Sequence, residues 1–222
     1  MKNNKFKINI KNLIEYFDIK DNSEPGDINA IIAVLGEDLG AAVFQHYQEG
    51  NGRVVVVERA PKTGKLKGPR LDRWIKVGNK WYQAEIKNWS SRAVGGLEIP
   101  ISTSGKEIIS FAARNWERIV GDIESKKLNG VNKVLVRMNN SPREGSVIPL
   151  LIFWETLNAY GQDNFFFKFG VKKFFDFEYV WVFSVSLYLR SLLRKKKEIH
   201  LEMPNAARRI GQLKKVFKTP SK

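Results

Sequence analysis

The sequence predicts an α/β domain in which a central mixed sheet is flanked by helices. Through residues 27–137 the hydrophobic pattern passes from helical spacing to three strand-like runs, then to a second helix and a further strand. The chain has 222 residues, of which 43% are hydrophobic, so it can bury one sizeable core. It has no cysteine and only two histidines, which argues against disulfides and against a structural zinc site.

Residues 1–26 are predicted to form an N-terminal appendage, and residues 27–222 the main domain. The appendage has apolar side chains at helical spacing, namely Ile10, Leu13, Ile14 and Phe17. A turn-like run, Asp21–Gly26, separates it from the rest. Within the main domain we expect a core over residues 27–137 and a C-terminal extension over residues 138–222.

A long helix is predicted to open the core. Asp27 supplies an N-cap, and apolar side chains continue at helical spacing as far as Val43. Glu37 and Asp38 lie in the middle of this predicted helix. The valine run Val54–Val57 then predicts a strand buried on both faces.

Two further strands are predicted over Leu71–Val77 and Lys80–Lys87. Gly78-Asn79 between them suits a two-residue hairpin turn, because glycine and asparagine tolerate positive φ angles. A long helix that begins at the capping box of Ser104 and Glu107 and is ended by Gly130, and a strand over Val131–Arg137, follow; the return from Lys87 to Val131 is long enough for a crossover.

The extension is read more coarsely. Strand-like runs occur at Val147–Trp154 and Val180–Val185, Ser186 is a candidate cap for a helix through Arg194, and a basic helix is predicted over Asn205–Val216. The aromatic run Phe165–Phe177 receives no assignment.

The register of the predicted hairpin points to chemistry. With a two-residue turn, Val77 pairs with Lys80, and counting outward places Asp72 directly across from Glu85. Opposed residues share a face of the sheet, with Cβ atoms about 5 Å apart. Lys87 projects from the same face, because side chains alternate along a strand.

An aspartate facing a glutamate destabilises a sheet unless a cation or a proton lies between them. Carboxylate oxygens suit Mg²⁺, which binds through one or two carboxylates and completes its shell with water and substrate phosphate. Mg²⁺ is therefore the expected cofactor, with Mn²⁺ as a substitute. Such an ion can activate water and neutralise charge in phosphodiester hydrolysis.

Asp72 followed by Glu85-Ile86-Lys87 resembles the motif of the PD-(D/E)XK nuclease superfamily, which includes restriction endonucleases. The order of elements over residues 27–137 is also similar to the αβββαβ core of that restriction-endonuclease-like family. The resemblance implies that Asp72 and Glu85 bind the metal and that Lys87 helps to activate the attacking water. The motif departs from the family at Leu71, where proline is usual.

The family often places a helical glutamate, preceded by glycine, beside its metal. Gly36-Glu37 matches that pattern, so the resemblance implies that Glu37 is a third metal ligand or a water-orienting group, with Asp38 as the fallback. The alternative is that Glu37 is an ordinary solvated helix residue. Likewise, Glu85 and Lys87 could form an exposed ion pair, and Asp72 could cap a turn.

The charge of the chain favours a polyanionic partner. Thirty-eight Lys and Arg residues against 23 Asp and Glu give +15, which is typical of proteins that bind nucleic acid. The candidate phosphate contacts are Lys62, Lys65, Lys67 and Arg70 in the loop before Asp72, and Arg114 and Arg118 on the predicted helix. Trp81 could stack on a base, although core packing is the commoner use of tryptophan.

Together these features predict a metal-dependent endonuclease acting on nucleic acid, with double-stranded DNA favoured by the resemblance alone. A role in restriction or phage defence, and a homodimer that cuts both strands, are further expectations. With no secretion signal and no apolar run long enough to span a bilayer, we expect a cytoplasmic protein without a membrane partner. Two alternatives stay open: a non-catalytic nucleic-acid-binding protein with a nuclease-like fold, and a subunit that packs Phe165–Phe177 on a partner.

Overall fold

The fold is a mixed α/β arrangement built on a six-stranded sheet. A computed structural model describes residues 4–18, 34–59, 71–87, 132–137, 145–154, 165–170 and 176–216. The elements in chain order are β1 (Lys5–Asn9), α1 (Ile10–Asp18), α2 (Glu37–Gly50), β2 (Val55–Arg59), β3 (Arg73–Val77), β4 (Lys80–Lys87), a 3-10 turn (Asn132–Leu135), β5 (Ser146–Phe153), β6 (Phe166–Gly170), β7 (Tyr179–Ser184), α3 (Val185–Leu193), β8 (Glu198–Glu202) and α4 (Pro204–Val216).

The large sheet has the strand order β2-β3-β4-β5-β7-β6. Strands β2, β3 and β4 are antiparallel neighbours, whereas β5 lies parallel to both β4 and β7. A parallel pair requires a crossover connection, so the chain does cross over after the hairpin, but it returns at β5 and not at Val131 as predicted. The predicted helix between Ser104 and Gly130 lies outside the described residues.

The predicted strand over Val131–Arg137 is wrong. Asn132–Leu135 is a 3-10 turn, and the strand that pairs with β4 is β5, further along the chain. Val134 and Leu135 are fully buried in this turn. A short apolar run cannot be assigned to strand or turn by periodicity alone, which explains the error.

The hairpin register is confirmed. Val77 pairs with Lys80 and Arg73 pairs with Ala84, as a two-residue turn at Gly78-Asn79 requires. Gly78 has a φ of +58°, in the left-handed region that glycine adopts without strain.

Helix α2 packs on one face of the hairpin. On that face its Leu39, Ala42, Val43 and Phe44 share a buried cluster with Ile75, Tyr82 and Ile86. A second buried cluster, on the other face, contains Trp74, Leu135, Leu151 and Val182, with Trp81 packed against it. Trp81 also contacts Trp74 edge to face. The structure thus shows Trp81 in a packing role.

The valine strand β2 lies at the edge of the sheet, so the prediction that both of its faces are buried is wrong. Val54 is 78% exposed and Val56 is 46% exposed. Composition could not reveal this, because an edge strand that is covered on one face may carry the same β-branched residues as a central one.

The N-terminal segment and the C-terminal region belong to the same packed body. Strand β1 pairs with β8, which places Phe6 beside Leu201. Ile10 and Ile14 of α1 are fully buried in the cluster that contains α2. The segment predicted as an appendage therefore packs into the main core, while the proposed domain boundaries stay a prediction.

The aromatic run also packs internally. β6 pairs with β7, and Phe165 and Phe166 contact the rings of Tyr47 and Phe183. The predicted helices α1, α3 and α4 and the predicted strands β5 and β7 are confirmed with shifted ends. Among the described residues, no helix combines the length and apolar character needed to cross a bilayer.

Helix α2 begins at Glu37, so Glu37 and Asp38 lie in its first turn and not in the middle of a longer helix. Gly36 precedes it with φ 56° and ψ −149°, a conformation that is essentially restricted to glycine. The predicted cap Asp27 lies outside the described residues. Carboxylates in a first helical turn are favoured by the helix dipole.

We predict that Gly36→Ala lowers the free energy of unfolding by about 1–3 kcal/mol, because alanine is strained in that conformation. A Cβ at Gly36 would also press on the Arg209 guanidinium. Gly211→Ala is the matched control: Gly211 lies inside α4 with open space around its Cβ position, so alanine should stabilise by up to about 1 kcal/mol. Urea denaturation measures both changes, and equal effects would contradict the prediction.

Candidate functional site

The candidate site lies where β3 begins and β4 ends. The backbone N–H of Asp72 donates at 3.2 Å to the carbonyl of Ala84, the residue that pairs with Arg73, so the regular pairing of the hairpin ends at Arg73 and Ala84. The Oδ2 atom of Asp72 accepts the backbone N–H of Ile86 at 2.7 Å. The Asp72 carboxylate thus caps the strand that carries Glu85. We call Asp72, Glu85 and Lys87 the hairpin site.

Glu85 is fully buried. Alternation along β4 places it on the same face as Gln83, whose side-chain amide donates to the carbonyls of Val134 and Val136. Asp72 is only partly buried, so it is the more accessible of the two carboxylates. A buried carboxylate is stable only when a cation, a proton or hydrogen-bond donors offset its lost hydration. The backbone of Lys87 ends β4, and its side chain lies outside what the structure describes.

Arg73 follows Asp72 and points to the opposite face, toward α2. Its guanidinium is 2.5 Å from Glu37 Oε2 and 2.8 Å from Asp38 Oδ1. The Nη1 atom that meets Glu37 also donates to the backbone carbonyl of Asp72 at 2.6 Å. Arg73 is 7% exposed, so these contacts form a buried ionic network that ties α2 to the start of β3.

Asp38 extends this network to α4. Its carboxylate accepts the backbone N–H groups of Asn205 and Ala206, at 2.5 and 3.1 Å, and the Asn205 side-chain amide at 2.6 Å. Burial raises the pKa of Asp38, but the bonds from Asn205, Arg73 and Ala206 outweigh it and hold the pKa below its ordinary value. A deprotonated Asp38 therefore caps the positive end of α4. These donors occupy both oxygens of Asp38, which argues against its fallback role as a metal ligand.

Glu37 is placed differently from Asp72 and Glu85. Its side chain is 44% exposed and meets Arg73 on the α2 side of the hairpin. Among the residues that the structure describes, no group of three or more Asp, Glu, His or Cys side chains could hold a metal ion. The structure thus brings the Asp72 carboxylate to the backbone of Ile86, next to Glu85 in the chain, and leaves Glu37 with a guanidinium.

Sequence reasoning missed Arg73. The available signal was an arginine in a strand whose neighbours are apolar, directly after the predicted metal ligand. Strand alternation then required it to point away from Asp72, into the face that α2 covers. The candidate phosphate contacts Lys62, Lys65, Lys67, Arg70, Arg114 and Arg118 lie outside the described residues.

A cavity of about 490 Å³ lies on the α2 side of the sheet. Its walls come from α2, β2 and the corner between β8 and α4, and its polar lining includes Asp38, Arg73, Gln45 and Glu202. It borders the Arg73 network and does not include Glu85. The cavity and Glu85 of the hairpin site therefore lie on different faces of the hairpin.

A second polar cluster surrounds His46. Its Nδ1 atom is 2.7 Å from the Tyr188 hydroxyl, and its Nε2 atom is 3.4 Å from Lys196 Nζ. Burial, helped by Lys196, lowers the pKa of His46, and burial raises the pKa of Tyr188 to about 12. Both groups are therefore neutral near pH 7, and their rings pack together with Tyr47. This cluster joins α2 to α3.

Comparisons of the chain with protein-family models, with curated proteins and with solved structures each gave no match. The resemblance to the PD-(D/E)XK superfamily accordingly stays a prediction that depends on the hairpin geometry.

We predict that Asp38→Asn lowers the free energy of unfolding by about 3 kcal/mol, because it leaves the buried Arg73 guanidinium without its buried partner. Since the pKa of Asp38 is lowered in the folded protein, this stabilisation is present above the ordinary value of 3.8 and is lost as pH falls below it. Denaturation from pH 3 to pH 7 should show the wild type and the variant converging at the acid end.

Glu37→Gln is the matched control, because it removes the more exposed partner of the same guanidinium. We expect a loss below about 1 kcal/mol. If both variants lose the same stability, Asp38 is not the principal partner of Arg73.

Proposed function

We propose that this protein is a divalent-metal-dependent nuclease of the PD-(D/E)XK type that hydrolyses phosphodiester bonds, with DNA as the favoured substrate. The observation that carries the proposal is the hairpin register, together with the bond from the Ile86 amide to the Asp72 carboxylate. The bond brings the Asp72 carboxylate to the backbone of Ile86, which lies between the buried Glu85 and Lys87. The net charge of +15 supports a polyanionic substrate.

The donor set of the hairpin site fits Mg²⁺. Asp72 and Glu85 offer hard oxygen ligands, and two carboxylates suffice when water and substrate phosphate complete the shell. Mn²⁺ would fit the same oxygens. When bound, the ion supplies charge stabilisation and lowers the pKa of a bound water. Asp72 and Glu85 would hold it, and Lys87 would orient the attacking water and assist its deprotonation.

The order of the described elements supports the nuclease-like core. Helix α2 precedes three antiparallel strands, and a crossover leads to β5 alongside β4. This matches the helix, three strands and parallel return of the αβββαβ pattern. Restriction or phage defence remains an extension of the family resemblance.

The role of Glu37 is revised in this proposal. Its contact with Arg73 favours a supporting part, in which the pair braces the backbone carbonyl of Asp72. The metal set is therefore Asp72 and Glu85. A nuclease with this arrangement depends on two protein carboxylates.

The second candidate is a basic nucleic-acid-binding protein that keeps the fold without catalysis. Two observations favour it: Glu85 is fully buried, and Glu37 lies against Arg73. Both candidates predict nucleic-acid binding, so cleavage separates them.

We predict that the purified protein nicks supercoiled plasmid with Mg²⁺ and not with chelator, and that Asp72→Asn and Lys87→Ala reduce the rate by at least about 100-fold. Gel electrophoresis of the plasmid measures the rate, and thermal denaturation checks that each variant is folded. Glu58→Gln, an exposed carboxylate on β2, is the control and should cut like the wild type. Absence of metal-dependent nicking, with DNA binding retained, would favour the second candidate.

A further inference from the structure

Helix α4 is held at its beginning and exposed along its length. Only Asn205 and Ala206 are buried, and both lie in its first turn, where Asp38 caps them. The helix has no acidic residue and carries four basic ones, namely Arg208, Arg209, Lys214 and Lys215. The helix therefore offers a positively charged surface that begins at the Arg73 network.

One face of α4 lines a groove of about 590 Å³. The groove is lined by Asn4 and by Pro204, Ala207, Arg208, Gly211, Gln212 and Lys215 of α4. These α4 positions recur every three or four residues, so they form one continuous stripe along the helix. Ala207 and Gly211 contribute little side-chain bulk to the stripe, and Arg208 and Lys215 lie next to them. We call this stripe the α4 groove.

The two arginines of α4 have different tasks. Arg209 donates to the backbone carbonyl of Val34 at 3.0 Å, which fastens the helix to the segment before α2. Arg208 is exposed, and its Nη1 atom makes a long contact of 3.5 Å to Gln212 Oε1 within the same helix. Arg209 therefore fixes the helix, while Arg208 extends into the groove.

We propose that the α4 groove, which belongs to a helix fastened to the α2 side of the sheet, binds the phosphodiester backbone of nucleic acid. The role as a substrate-holding surface rests on the proposed nuclease function. Arg208 and Lys215 are seven residues apart, which is about 10 Å along a helix. Each strand of a duplex carries a phosphate about every 3.4 Å along its axis, so the two cations span about three phosphates. The small residues between them allow the sugar-phosphate chain to approach the helix closely.

The chemistry of the stripe favours a phosphate backbone over a lipid surface. A helix that inserts into a membrane presents large apolar side chains beside its basic residues. The exposed apolar residues of α4, Leu213 and Val216, are not among the groove residues. The groove itself combines small, amide and cationic side chains, which are the groups that contact phosphate and sugar.

The test is the salt dependence of duplex binding. Fluorescence anisotropy with a labelled random-sequence DNA duplex, in chelator to prevent cleavage, compares the wild type with the double variant Arg208→Gln/Lys215→Gln. We expect weaker binding to every duplex alike, and a slope of log affinity against log salt that is smaller by about two. Circular dichroism confirms that α4 is retained.

The matched control is Lys76→Gln/Lys80→Gln, which removes two exposed charges from the hairpin. The slope of log affinity against log salt should change in this control by less than half of the change seen in the α4 double variant. Equal changes in the two double variants would overturn the proposal, as would an unchanged slope in the α4 variant. Phosphatidylserine vesicles form a second arm, and loss of vesicle binding with unaltered DNA binding would also overturn it.

Plasmid nicking, measured separately, distinguishes this proposal from the proposed function. If the wild type does not nick DNA but the α4 double variant has a smaller salt slope, phosphate binding by the α4 groove is supported and the proposed nuclease function is contradicted. If the wild type nicks DNA but the salt slope of the variant is unchanged, the nuclease function is supported and phosphate binding by the groove is contradicted.

Discussion

A two-residue turn at Gly78 and Asn79 sets the register on which the candidate site depends. Because side chains alternate along a strand, this register decides which residues of β3 and β4 share a face. The regular pairing ends at Arg73 and Ala84, and just beyond it the carboxylate of Asp72 accepts the Ile86 amide. A shift of one residue would send Glu85 to the face that α2 covers. The geometry of two small residues thus controls on which face the protein presents Glu85.

The same alternation divides the charged residues between two tasks. Arg73, next to Asp72, must point toward α2, where it binds Asp38 in a buried pair and Glu37 in a more exposed one. Asp38 in turn caps α4, so one ionic network aligns a helix on the sheet and fixes the start of a basic helix. The network braces the backbone of Asp72 from the side opposite Glu85.

The sequence was sufficient where local chemistry decides structure. Gly78-Asn79 predicted the turn and hence the pairing of β3 with β4, and α4 was predicted from its pattern after Pro204. It was insufficient where tertiary position decides. Edge placement of β2 and the 3-10 turn at Asn132–Leu135 depend on neighbours that a local pattern does not contain. Glu37 was assigned by resemblance, and the arginine that binds it could be placed only once α2 was packed on the sheet.

The most direct measurement of the central claim is a crystal structure of the protein with Mn²⁺, in which the anomalous signal locates the ion. We expect one peak within coordination distance of the carboxylates of Asp72 and Glu85, about 2.1 Å from their oxygens, with Glu37 still bound to Arg73. A crystal saturated with Mn²⁺ that shows no peak there, or a peak at Glu37 and Asp38, would contradict the account.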